Sequence, residues 1–275
     1  MPDYFEDVGS LAIVESHIEQ VQKLEETQSK AMLKRYKEIR LELNDRLLSS
    51  KSNSFTQQQL RGTLVQVDSA IDAMNRSLKG EIGTQAKKAS LLGVNHLLKE
   101  ISAFEKEFGG TITPINLNAG LIANDASKFK INTAQSSLDA YSEDLRSSIT
   151  TELSNAALIG MDYSKVSQNL GQFFKGEEWK LERIARTEMH GIYNLGKQKG
   201  MEEVQDEYID DLKKALIHPM DNRTGKDSKY AASKEMVVDI DKPFSYTWGG
   251  KLRVFMVPPD RPNDRAIMVP YRPSW

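Results

Sequence analysis

Apolar residues at alternating steps of four and three run through Leu60, Leu64, Val67, Ile71, Met74 and Leu78. That spacing draws one apolar stripe along a helix. The stripe has to be covered, and a packed helical hairpin with the preceding helix covers it most simply. Weaker stripes lie on either side. Leu11, Val14, Ile18 and Val21 resume as Leu33, Tyr36, Leu43 and Leu47 after the polar stretch Glu25-Glu26-Thr27-Gln28-Ser29-Lys30. Residues 8 to 50 thus read as one long helix or two in sequence. A coiled-coil-like seam and an amphipathic helix packed within its own domain account for that stripe equally well. Ser49-Ser50-Lys51-Ser52-Asn53-Ser54 supplies the turn, and Thr56-Gln57-Gln58-Gln59 has the form of a capping box. A third helix carries Leu91, Val94, Leu98, Ile101, Phe104 and Phe108, and Gly109-Gly110 stops it.

Periodicity lapses over residues 111 to 132, where Thr111-Ile112-Thr113-Pro114-Ile115-Asn116-Leu117-Asn118-Ala119-Gly120 is rich in turn formers. This is the expected boundary. Helices return with Leu138, Tyr141, Leu145, Ile149 and Leu153 up to Gly160. Asp162 or Ser164 then caps a short helix through Leu170, and Trp179 opens another that reaches about Val204. Beyond Ile217 come three short β-prone runs, Met236–Ile240, Leu252–Val257 and Ala266–Val269, with Gly249-Gly250 between the first two. The expected class is α+β. A long N-terminal helical arm or bundle covers residues 1–110, an irregular linker 111–132, and a small C-terminal α+β domain with a short antiparallel sheet 133–275.

The 275 residues carry a net charge of −2, so no overall charge footprint calls for nucleic acid. Without cysteine, disulfides, thiol catalysis and cysteine–zinc sites are excluded. The acidic start, Met1-Pro2-Asp3-Tyr4-Phe5-Glu6-Asp7, lacks the basic region and apolar run of a signal peptide. No apolar run approaches the roughly 20 residues that span a bilayer. A soluble protein made in a cytoplasm is expected, with no membrane partner.

Polar chemistry concentrates in Arg183-Ile184-Ala185-Arg186-Thr187-Glu188-Met189-His190-Gly191-Ile192-Tyr193-Asn194. On a helix, Glu188 falls among Leu181, Ile184, Ile192 and Leu195, while Arg183, Thr187, His190 and Asn194 share the neighbouring face. A carboxylate on an apolar face has to be paired or protonated. In a catalytic reading Glu188 is a general acid or base and His190 a proton shuttle. In an architectural reading Arg186 and Glu188 anchor loops of the C-terminal unit, with Arg223, Arg253 and Arg265 available to the carboxylate. The second is favoured, because the chain has no nucleophile turn and no metal-ligand spacing. His17 and His96 read as packing or surface residues, and His218 as ordinary loop chemistry before Pro219. Asp221-Asn222-Arg223-Thr224-Gly225-Lys226-Asp227 lacks the spacing of a calcium loop and reads as a capped turn. The acidic stretch Glu202 to Asp211 reads as a solvated helix face.

Four elements in order resemble the phage Mu F-like, or head morphogenesis, family of minor head proteins. They are Arg186-Thr187-Glu188 with Asn194, Asp221-Asn222-Arg223-Thr224, Pro243-Phe244, and Pro262-Asn263-Asp264-Arg265, spread over about residues 135 to 270. The chain departs from that pattern at Ser228, near where the family carries a histidine, and at Asp264, where it carries a cysteine. The resemblance implies a structural virion protein at the portal vertex, acting in head assembly or genome delivery and made in the host cytoplasm. Its implied partners are the portal protein, neighbouring head proteins, further copies of itself and, weakly, DNA. No cofactor, metal or catalytic residue is implied, and Arg186, Thr187, Glu188, Asn194, Asp221, Arg223, Thr224, Pro243, Phe244, Asn263 and Arg265 become a structural motif. The competing expectation is an enzyme, a nuclease or ADP-ribosyltransferase-like, built on the C-terminal domain with Arg186, Glu188 and His190 as its site.

Overall fold

A computed structural model describes residues 10–48, 55–108, 114–222 and 224–275. Four long helices come first: α1 (Ser10–Leu48), α2 (Gln57–Glu107), α3 (Ala119–Leu158) and α4 (Tyr163–Glu207). A small mixed region follows, made of β1 (Lys213–Ile217), α5 (Lys226–Ala232), β2 (Val237–Asp239), β3 (Phe244–Trp248), β4 (Lys251–Phe255) and β5 (Ile267–Tyr271). The chain is α+β, with long helices ahead of a short antiparallel sheet.

Its compact units do not follow the expected cut at 111–132. One gathers the described residues up to Glu26 with Thr84–Ile131 and Arg186–Trp275, and the other Thr27–Gly83 with Asn132–Ala185. Each long helix therefore lends a stretch to each unit. The irregular connection is also shorter than expected, because α3 already begins at Ala119. There Asn118 Oδ1 accepts the Leu121 amide at 3.1 Å, the bond of an N-cap.

The second unit is helical among its described residues apart from 55–56 and the turn at 159–162. Val67, Ile71, Met74 and Leu78 of the clean stripe are buried, as are Leu138, Tyr141, Leu145, Ile149 and Leu153. Tyr36 is fully buried, its ring 5.6 Å from Phe174 and 6.4 Å from Tyr141, and its hydroxyl donates to Phe174 O at 2.9 Å. Gln59 reaches back to the Thr56 amide at 2.9 Å, one half of the expected capping box. The turn after α3 closes as a Schellman motif: Met161 N donates to Ala156 O, Gly160 N to Ala157 O, and Gly160 sits at φ +61°. Asp162 then accepts the Ser164 amide at 2.8 Å and starts α4. That helix runs unbroken to Glu207, so the short helix ending at Leu170 and a fresh start at Trp179 are corrected. Likewise α2 is one helix of 51 residues where two were expected.

The first unit holds the sheet, in the order β2–β1–β5 with both pairings antiparallel. Strands β1 and β5 are buried on both faces. Leu216 and Met268 face a cluster with Leu97, Ile101, Met201, Val204 and Phe244, while Ala215, Ile217, Ile267 and Val269 face Val14, Val21, Phe104 and Tyr193. Two-sided burial explains why β5 reads as an apolar run without alternation, while β1, which opens with Lys213-Lys214, is not among the strands expected. Strands β3 and β4 form a separate hairpin, closed by Gly249-Gly250 at φ +56° and +75°. Both turn residues lie in the left-handed region that a two-residue hairpin of this kind demands. The side chains of Leu11, Leu43 and Leu47 lie outside the described residues, as do 49–54, Gly109-Gly110, 111–113 and Arg223.

Candidate functional site

The polar stretch of α4 faces β5 and the loop before it. Asn194 is fully buried and makes three bonds: its amide nitrogen donates to His190 O at 3.1 Å and Ala266 O at 3.2 Å, and its oxygen accepts Met268 N at 3.0 Å. One side chain thus satisfies backbone groups of a helix and a strand together. His190 reaches two acceptors, Glu25 Oε1 on α1 through Nδ1 and Ala266 O through Nε2, each at 2.6 Å. A neutral imidazole has only one N–H, so two acceptors call for the imidazolium. Burial opposes that charge, but the Glu25 carboxylate overrides it and the pKa is raised above its ordinary value.

The Arg186 guanidinium donates to Asn263 Oδ1 at 3.3 Å, and Thr187 Oγ1 accepts the Asn263 amide at 3.3 Å. Asn263 sits at φ +63°, a conformation asparagine tolerates better than most residues. Arg265 holds Asp221 with two bonds, 2.8 and 2.6 Å, and Thr224 caps the same turn by accepting Asp221 N and donating to Pro219 O. The helix motif meets the Pro262–Arg265 element, and that element meets the Asp221–Thr224 turn. Glu188 is buried, as the stripe argument requires, with the Lys130 ammonium 3.9 Å away. The expectation that Arg253 or Arg265 would clamp it is corrected. Arg253 lies 3.6 Å from Asp260, Arg265 is spent on Asp221, and Arg223 falls outside the described residues. Phe244 stands apart from the polar contacts. It is fully buried as the first residue of β3, just after the exposed Pro243, and Lys214 Nζ lies 5.1 Å above its ring.

The two departures from the family pattern come together. Ser228 Oγ lies 3.5 Å from Asp264 Oδ1, and His218 Nδ1 is 3.6 Å from the same oxygen. Burial raises the Asp264 pKa, but His218 and the Arg261 guanidinium outweigh it and bring the group down to about 2. Arg261 also pairs with Asp227 at 2.8 Å and bonds Asp260, which accepts the Tyr246 hydroxyl at 2.6 Å. This ties the loop before β5 to α5 and to the β3–β4 hairpin. His218 is a buried member of that network, not the ordinary loop residue expected.

A second polar cluster escaped the sequence reading. Glu100 on α2 is fully buried and accepts Lys197 Nζ from α4 at 2.7 and 2.6 Å, with His17 Nδ1 from α1 at 2.8 Å. The His17 and His96 rings stack 3.6 Å apart, and His96 bonds the Tyr193 hydroxyl at 3.1 Å and Gln20 at 3.2 Å. Burial holds His96 down to about 2, so it is neutral. A signal existed: Lys197 lies one step of four from both Tyr193 and Met201, on the same stripe argument that singled out Glu188. Glu25, Gln28 and Ser29, read as part of a stretch polar all round, are buried too. Lys214 is a further buried cation, bonded to Gln198 Oε1 and Met256 O at 3.0 Å each and pushed down by burial to about 8.

Among the described residues, no three histidine, aspartate or glutamate side chains are grouped to hold a metal, and no helix is long and apolar enough to cross a membrane. An open polar hollow of about 350 Å³ lies between α1 and the loop before β5, lined by Glu25, Glu26, Arg186, Asn263 and Arg265. The chain matches no family model, no curated protein and no solved structure.

Proposed function

We propose that this chain is a structural minor head protein of a tailed phage, docking at the portal vertex and acting in head assembly or genome delivery. The observation that supports the reading is where the motif residues spend their bonds. Arg186 and Thr187 bond Asn263, Asn194 bonds β5, Asp221 bonds Arg265, and both ring nitrogens of His190 have acceptors within the chain. A proton shuttle needs a nitrogen free to meet substrate. A residue set engaged in this way ties a helix, a strand and two loops together, which suits a part that bears contacts with other proteins.

Association with the portal protein tests the reading. The purified chain should co-migrate with portal assemblies and turn over neither RNA nor NAD. Glu188→Gln should lower stability by about 1–3 kcal/mol, as for a weakened buried polar network, with no defect in assembly beyond that loss. A fully stable Glu188→Gln protein would remove the architectural role given to that carboxylate. The hollow beside Arg186 keeps the enzyme reading in play, since it is large enough to admit a small polar molecule. Cleavage of RNA or consumption of NAD by the parent, lost in His190→Ala, would establish that reading instead.

A further inference from the structure

A groove of about 540 Å³ opens on the first unit between α3, α4 and the loop after β4. Its walls are Phe129, Leu195, Met256 and Pro258-Pro259, and its floor is Gly191. A Cβ at Gly191 would stand 3.0 Å from Lys130 Cε and 3.4 Å from Pro259 Cδ, so a side chain there would intrude on the groove. Phe129 is 74% exposed on its rim. The apolar surface continues along one face of β4 through Met256, Val254 and Leu252, all exposed at a spacing of two. Exposed aliphatic and aromatic groups gathered around a cleft mark a contact site.

The charges at the rim are already matched within the chain. Lys199 pairs with Glu202 at 2.6 Å, Lys128 with Asp125 at 3.4 Å and Lys130 with Glu188 at 3.9 Å. A charged occupant would have to compete with these pairs and would lose water. The occupant that fits is apolar and uncharged, and the chain itself carries one. At the turn between α3 and α4, Leu158 and Ile159 are 72% and 73% exposed side by side. From Leu153 to Met161 no residue is charged. The Schellman bonds and the Asp162 cap fix this tip in one conformation, so little ordering is left to do on binding.

We propose that the Leu158–Ile159 tip of one copy seats in the Gly191 groove of a second copy. The contact is heterologous: each copy offers a tip and a groove. It stands on these residues alone and holds whether or not the portal reading does. A tip in a cleft buries less than a standard interface, so the association is weak, with a dissociation constant of roughly 10–1000 µM.

Sedimentation equilibrium of the full chain over that concentration range tests the contact. The parent should show a mass that rises with concentration. Two variants at exposed positions, Leu158→Ser/Ile159→Ser and Phe129→Glu, should each weaken association at least tenfold while keeping the parent's helix content and melting temperature. Mixed in equal amounts, they should restore a two-copy species, because one still has its groove and the other its tip. A tip variant that loses helix content is replaced by the single Ile159→Ser, which reads the same contact. A parent that stays monomeric overturns the proposal. So does a tip variant that associates as the parent does, which would give the groove another occupant, or a mixture that restores nothing.

Discussion

His190 lies between a carboxylate and a carbonyl, and that placement fixes its charge state. Both acceptors sit 2.6 Å away, and the ring can satisfy both only as the imidazolium. Its pKa is raised, so its contribution to stability is complete below the unfolded value of about 6.5 and is lost as pH rises through the folded value. Ring resonances of His190 should report a protonated imidazole at pH 7 by NMR. His190→Gln removes the cation and strands a buried Glu25 carboxylate, which should cost about 3–5 kcal/mol at pH 7 in chemical denaturation. Adding Glu25→Gln should recover much of that loss, since no unpaired charge then stays buried. A double variant as unstable as the single one would mean that packing around the ring, and not the charge pair, carries the effect. The same logic explains what was legible here. Glu188 on an apolar stripe announced a buried polar contact, but no pattern in the sequence tells a lysine 58 positions upstream from an arginine 77 positions downstream as its neighbour.

Within α4, spacing was readable and continuity was not. Steps of three and four marked apolar positions, yet the stretch between Leu170 and Trp179, which holds Gly171 and Gly176, did not read as helix. A helix tolerates such glycines at about 1 kcal/mol each, and the packing on either side of them holds α4 in one piece. Other glycines of the same helix do something the periodicity cannot express. A Cβ on Gly196 would stand 2.3 Å from Ser90 O, and one on Gly93 of α2 would stand 2.1 Å from Tyr193 O. Here α2 and α4 touch backbone to backbone, and this closeness lets Lys197 reach Glu100. Gly196→Ala should therefore cost at least about 2–3 kcal/mol by forcing the helices apart. Gly176→Ala, with nothing within 4 Å, should be neutral or stabilise by up to about 1 kcal/mol. Urea titrations of the two variants give opposite signs on this account, and equal stabilisation would show that helix propensity, not close approach, sets both results. Spacing could flag Lys197 as a polar residue on a buried stripe, but not its partners, because Glu100 lies 97 positions from Lys197 and 83 from His17 in sequence.

For the molecule as a whole, His96 shapes the response to acid. His96 is held neutral, with its pKa at about 2 in the folded chain, because burial disfavours its charge and the stacked His17 ring with Lys197 adds to that. A group whose folded pKa lies below its unfolded value contributes stability that is present above about pH 6.5 and is lost as pH falls from there. Asp264 behaves likewise lower down, below about pH 3.8, where the unfolded carboxyl takes its proton first. His190 adds no slope in this window, since its contribution is already complete below about 6.5. His96 should then contribute a falling slope near one proton, about 1.4 kcal/mol per pH unit, between pH 6 and pH 4. That slope belongs to a neutral ring bonded by Tyr193 and Gln20. His96→Gln keeps hydrogen-bonding groups at the site but has nothing to titrate, so its denaturation midpoint should stay nearly level over the same interval. If the parent and His96→Gln fell in parallel, acid sensitivity would belong to other groups, and the stacked histidine pair would be packing alone.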